Sequence, residues 1–201
     1  PVAILGINAF HGDSSAAIFS DNGQLLAAIE EERLLRIKHW AGFPAESIRY
    51  CLHAGEPGSL TDVAISRDPK ANLSAKVLRA AFHASLWPSL LSRSRNSLKV
   101  GRIQQAFSQH GIALPGQVRF HNVEHHRAHM ASAFFASPFE RAAILSVDGF
   151  GDFSSVMWGS GRGNRMEVSG GVRFPHSMGM FYTAFTQFLG FSKYGDEYKM
   201  M

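Results

Sequence analysis

Four histidines and a glutamate fall within nine residues, 121–129, of the stretch HNVEHHRAHMASAFFASPF. Imidazole is both the side chain that titrates near neutral pH and a common metal ligand. On a helix, His125 and His129 lie one turn apart on one face, with Cβ atoms about 5–6 Å apart. Both rings can then reach one ion. His126 is rotated by roughly 100° and falls outside that pair. His121 precedes the helix and could join only if the helix began early. The metalloprotease pattern H-E-x-x-H needs a glutamate directly after its first histidine. Here that slot is His126 and the acid, Glu124, comes before the pair, which excludes a zincin. A carboxylate for the same ion is available downstream in AAILSVDGFGD, where Asp148 ends an apolar run expected to be a buried strand and is followed by Gly149 and Gly151. Open α/β sheets place ligands at such strand ends. Two imidazoles and a carboxylate suit iron, zinc or manganese. No fourth ligand can be assigned.

Two further segments share one form. HGDSSAAI, with His11, Asp13 and Ser14, and DGFGDFSS, with Gly149, Gly151 and Asp152, each put an acid beside small residues between two strand-like runs. Each reads equally as an ordinary turn or as half of a cleft in which backbone N–H groups approach phosphate and the acids position a cation. A third glycine-rich segment, GSGRGN, lies between two strands rather than before a helix, so it is expected to be a hairpin turn.

The elements that must hold these residues follow from periodicity and punctuation. The apolar run VAILGINAF, the run SSAAIF and the segment after Asp21-Asn22-Gly23 predict an opening meander of three strands. PAESIRYCLHAG predicts a helix between Pro44 and Gly55. LTDVAIS is a short strand, and 67–105 reads as helical and basic, either a solvated face or a surface for an anion or partner. VRFHNVEHH runs from a strand into the histidine helix, which Pro138 stops. Three strands and the helix GMFYTAFTQFLGF follow. Of 201 residues, 45% are hydrophobic and 18% charged, which excludes disorder, and the net charge of +4 is mild. The single cysteine, Cys51, excludes a disulfide framework and a multi-cysteine zinc site and suits a reducing, cytoplasmic setting. No apolar run approaches the roughly 20 residues of a membrane span.

Five segments together, GINAFHGDSSAAI, EEERLLRIKHWAGFPAESIRYCL, HHRAHMASAFF, SVDGFGD and SMGMFYTAFTQFLGF…GDEYKMM, resemble the O-carbamoyltransferase family, whose members act on nodulation factors, tobramycin, cephalosporins and novobiocin. The resemblance implies an α/β actin-like ATPase (ASKHA, RNase H-like) fold in a Kae1-like domain, similar to threonylcarbamoyl-transferase proteins. Residues 1–139 would be its first lobe and 140–201 the start of an incomplete second lobe. The chain then resembles a fragment of a longer enzyme whose YrdC-like domain makes carbamoyl-adenylate from carbamoyl phosphate and ATP.

The same resemblance implies that His125, His129 and Asp148 hold a divalent metal, with another ligand beyond Met201. It places His11 beside the reacting carbamoyl group and Asp13 as the acid of the first loop. Lys38 and Arg36, in RLLRIKHW, would set cations near phosphate or carbamoyl oxygens. Ser14, Gly149, Gly151 and Asp152 would line the nucleotide, and ATP would be a co-substrate. The expected activity is carbamoyl transfer to a hydroxyl of a small molecule such as a sugar or antibiotic. The alternatives are threonylcarbamoyl transfer to tRNA and a nucleotide-binding module without turnover. Neither a membrane nor nucleic acid is expected as a partner, and a homodimer is compatible with the sequence. His39, His53, His83, His110 and His176 are read as structural or surface histidines.

Overall fold

The computed structural model describes residues 2–55, 60–82, 102–193 and 195–200. They form two compact units, Pro1–Val123 and Glu124–Met201.

In the first unit, strands β1 (Ala3–Asn8), β2 (Ser15–Ser20) and β3 (Leu25–Glu30) make the expected antiparallel meander. The turn between β2 and β3 contains Gly23 at φ 81, a conformation that glycine adopts without steric cost. A short helix α1 (Glu31–Leu35) and α2 (Ala45–Ala54) follow. Strand β4 (Leu60–Ile65) then returns parallel to β1, and after α3 (Leu73–Phe82) and α4 (Ile103–Gln109) strand β5 (Arg119–Asn122) pairs parallel to β4. The order β3-β2-β1-β4-β5 is a meander extended by two parallel strands, a mixed α/β sheet. Leu5, Ile7, Ile18, Val63 and Ile65 bury one side of it against Ile48 and Cys51 of α2 and Phe107 of α4. Burial pushes the Cys51 thiol up to about 11, so it acts as a small apolar residue. Much of the basic run lies at 83–101, outside the described residues.

The second unit is a three-stranded antiparallel sheet of β6 (Arg141–Gly151), β7 (Ser154–Arg162) and β8 (Arg165–Arg173), with helices α5 (His125–Phe135) and α6 (Met178–Phe188) and a short 3-10 turn at Asp196–Met200. Most of GSGRGN lies inside strands, leaving a two-residue hairpin turn at 163–164. Sequence placed the second lobe's start at 140, but this unit begins at Glu124. The reason is α5: its Met130 and Phe134 pack against Ile144 and Met157 of the sheet. Strand β6 is also not buried throughout. Ile144 and Ser146 are buried, while Leu145 and Val147 on the alternate side are exposed.

One buried carboxylate organises the segment between β3 and α2. Glu31, 1% exposed, accepts the backbone N–H of Glu46 at 3.0 Å and of Ser47 at 2.7 Å. It therefore caps α2, whose own N-cap residue is Pro44 and supplies no side-chain bond. Glu31→Ala should cost about 2 kcal/mol in urea unfolding, since it leaves two helix-end donors unsatisfied. A loss within about 0.5 kcal/mol, the range of an ordinary surface change, would show that the cap carries no weight.

Candidate metal and transfer site

Helix α5 starts at His125 because Glu124 caps it, its Oε2 accepting the N–H of Arg127 at 2.8 Å. That start puts His125 and His129 on one face, as the spacing requires. Their Nε2 atoms lie 3.0 Å apart, with ring centroids 4.5 Å apart. Asp148 reaches them from β6. Its Oδ2 is 2.8 Å from His125 Nε2 and 3.7 Å from His129 Nε2, while Oδ1 accepts the N–H of Gly149 at 2.6 Å. The ligand atoms of these three residues all lie within 4.8 Å of one another.

Asp148 faces the helix because strand alternation puts it on the same side of β6 as the buried Ile144 and Ser146, and the register of β6 breaks around it, between Val147 and Gly151. It sits at the start of this irregularity rather than at the strand's end. The contacts with His125 and then His129 hold the Asp148 carboxyl well below the usual range, against the opposing effect of burial. In return Asp148 raises the pKa of His129.

His126 is fully buried, with Nδ1 2.8 Å from Ser146 Oγ, and desolvation lowers its pKa. It is a core histidine that fastens α5 to β6. His121 stays on β5, where its Nε2 is 2.6 Å from Asp62 Oδ1. Sequence did not single out Ser177. Its hydroxyl contacts the carbonyls of Asp148 at 3.2 Å and Gly149 at 2.7 Å, and its oxygen accepts the N–H of Met180 at 3.1 Å. The signal available was a serine just before an apolar helical run, the pattern of an N-cap.

In the first unit, the β1–β2 loop is bonded to the segment before α2. Phe10 N–H donates to Gly42 O at 3.0 Å, and Ser14 N–H to Trp40 O at 2.9 Å. Ser14 is fully buried and its hydroxyl bonds the carbonyls of His11 and Gly42, so its role is internal rather than at a ligand surface. His11 is half-buried, with Nδ1 3.3 Å from Gly12 O. Asp13 is exposed at φ 60 and pairs with His39, whose Nδ1 lies 2.9 Å from its Oδ1. Glu32 accepts the backbone N–H of His39 at 3.1 Å. His39, read from sequence as structural or surface, is thus joined to the loop's acid. Lys38 is 84% exposed and 3.9 Å from Glu32, a weak pair. Arg36 is exposed and ends α1 in a left-handed conformation at φ 59.

Asp152, expected at a nucleotide, is 8% exposed, and its Oδ2 accepts the N–H of His125 at 3.0 Å. Gly149 is half-buried beside Asp148, and Gly151 is buried against the His125 ring.

An α/β chain of mixed sheet topology with two imidazoles and a carboxylate gathered at a strand bulge is one class of protein. Comparison with known proteins gives the family. Residues 3–201 match the family described as "Carbamoyltransferase N-terminus", and the chain belongs to it. It is 35% identical over 207 residues to the uncharacterized protein sll1178 of Synechocystis sp., covering 98% of this chain and 34% of that protein. It is 36% identical over 204 residues to nodulation protein NolNO of Sinorhizobium fredii, covering 96% of this chain and 28% of that protein. The chain thus spans about a third or less of these curated relatives. Among solved structures it is similar to YeaZ from Pseudomonas aeruginosa, at 14% identity and a TM-score of 0.39, covering 85% of this chain and 65% of that one. Among the described residues no helix is long and apolar enough to cross a membrane.

The geometry separates a structural histidine from a surface one. His126→Ala should lower stability by about 2 kcal/mol or more, because it empties a buried, packed site. His129→Ala, at a ring 50% exposed, should cost less than about 1 kcal/mol. Urea unfolding of both variants checks the order, and the reverse order would contradict the assignment.

Proposed function

We propose that this chain forms the transfer region of an ATP-dependent O-carbamoyltransferase, which moves a carbamoyl group from carbamoyl-adenylate, made from carbamoyl phosphate and ATP, to a hydroxyl of a small molecule such as a sugar or antibiotic. The observation that carries this reading is the convergence of His125, His129 and Asp148 in a chain of the carbamoyltransferase family. The donor set fits a divalent iron, zinc or manganese ion: two imidazoles and a carboxylate of depressed pKa, with no sulfur. His125, His129 and Asp148 would hold such an ion, which would supply positive charge to an anionic donor.

The remaining chemistry falls to side chains. The acceptor hydroxyl oxygen bonds to the carbamoyl carbon, the bond from that carbon to the adenylate oxygen breaks, and AMP leaves with the electron pair. The hydroxyl proton goes to His11. Gly12 O, 3.3 Å from Nδ1, can only accept, so the neutral ring that keeps its proton on Nδ1 offers Nε2 as the general base. Lys38 and Arg36 offer positive charge to the anionic donor, and Asp13 holds His39 at the edge of the same loop.

His11→Asn in the full-length protein should slow carbamoyl transfer by about 100-fold or more while leaving carbamoyl-adenylate formation intact. Both half-reactions can be followed, the first by pyrophosphate release and the second by mass spectrometry of the carbamoylated acceptor. A fall in adenylate formation with unchanged transfer would assign His11 to the other step. Nucleotide binding without AMP release across a panel of hydroxyl acceptors would favour a module without turnover.

Metal content gives a separate test. His125→Ala or His129→Ala should reduce bound metal in elemental analysis, because each removes one of three ligands. Full retention by both variants would remove this group from the proposal.

A further inference from the structure

Two residues that supply no ligand atom touch His125 from the strand side. The backbone N–H of His125 is the first of α5 and has no acceptor within the helix. Asp152, buried in the turn between β6 and β7, accepts it at 3.0 Å. A carboxylate there also meets the positive end of the helix dipole. Glu124 caps the same helix, but from its own preceding residue. Asp152 instead ties the helix start to the hairpin that carries Asp148, four residues away. The hairpin turn is tight, with Asp152 at φ 48 and Phe153 at φ 74, the left-handed pair of a type I′ turn. Its fixed geometry places the Asp152 carboxylate.

Gly151 acts by what it lacks. Its φ is not in the left-handed range, so the backbone itself would accept alanine. A Cβ there would nevertheless lie 1.9 Å from Cδ2 and 2.1 Å from Cγ of His125. The imidazole rests directly on the Gly151 backbone, and any side chain would push the ring off its line to Asp148.

We infer that the Gly151–Asp152 turn is the positioning element of the metal group, Asp152 fixing the start of the ligand helix and Gly151 seating the His125 ring, so that cation affinity is governed from a turn that contributes no ligand. The inference rests on the metal reading proposed above.

The test is Co²⁺ titration of full-length apoprotein, read by affinity and by the d–d absorption bands, on wild type, His125→Ala, Gly151→Ala, Asp152→Ala and Asp152→Asn. Gly151→Ala and Asp152→Ala should each weaken Co²⁺ binding by about 10–100-fold, the usual cost of disturbing residues behind the ligands, and shift the bands. Asp152→Asn should recover most of the affinity, because its amide oxygen can accept the same N–H. In apoprotein, Gly151→Ala should lower the melting temperature in wild type but not in the His125→Ala background, where the collision partner is gone. Wild-type affinity and bands in both alanine variants would overturn the inference. So would an equal melting shift in both backgrounds. Co²⁺ binding that does not depend on His125 would end the metal reading, and the inference with it.

Discussion

Two imidazole nitrogens 3.0 Å apart, both turned toward one carboxylate, are the constraint around which the second unit is organised. Nitrogens at that distance cannot both carry protons facing each other. They share one hydrogen bond, turn their protons to the Asp148 carboxylate, or meet a cation. Holding them there takes three supports. Helix α5 must start at His125, β6 must carry Asp148 on the side of Ile144 and Ser146, and the N-terminus of α6 must press on the Asp148 backbone. The last contact is close: a Cβ on Gly179 would lie 2.5 Å from the Asp148 carbonyl. Ser177 both starts that helix and bonds the Asp148 carbonyl, so it couples the helix to the bulge.

The first unit shows the same economy on its own loop. Phe10 and Ser14 bond the β1–β2 connection to the segment before α2, and Glu31 caps α2. The residues left at the surface are the ones with chemistry to offer: Asp13, Arg36, Lys38 and His39. A loop anchored by backbone bonds can present side chains with little loss of precision, which is what a transfer reaction demands of a base and its neighbours.

Much of this was legible before any coordinates. The meander, the helix between Pro44 and Gly55 and the separation of His126 from the His125–His129 pair all follow from periodicity and punctuation. What escaped depended on residues distant in sequence. Asp152 and Ser14 have the composition of ligand-contacting loops. Only tertiary structure reveals that the Asp152 carboxylate accepts from His125 and that the Ser14 hydroxyl donates to the carbonyls of His11 and Gly42. The boundary between compact units differs from the expected lobe boundary for a similar reason. Nothing local tells whether the apolar side of α5, Met130 and Phe134, belongs with the strands before it or after it. The continuation of β6 through Gly151 was hidden because Asp148-Gly149 reads as a turn, whereas the structure uses it as a bulge.

The central claim is that His125, His129 and Asp148 hold a divalent ion together. X-ray absorption at the zinc edge of zinc-loaded full-length protein tests it most directly. The account predicts an inner shell of nitrogen and oxygen at about 2.0–2.2 Å, without sulfur, and the outer-shell scattering of two imidazoles, falling to that of one in His129→Ala. A shell containing sulfur, or one whose imidazole scattering is absent or unchanged in His129→Ala, would contradict it.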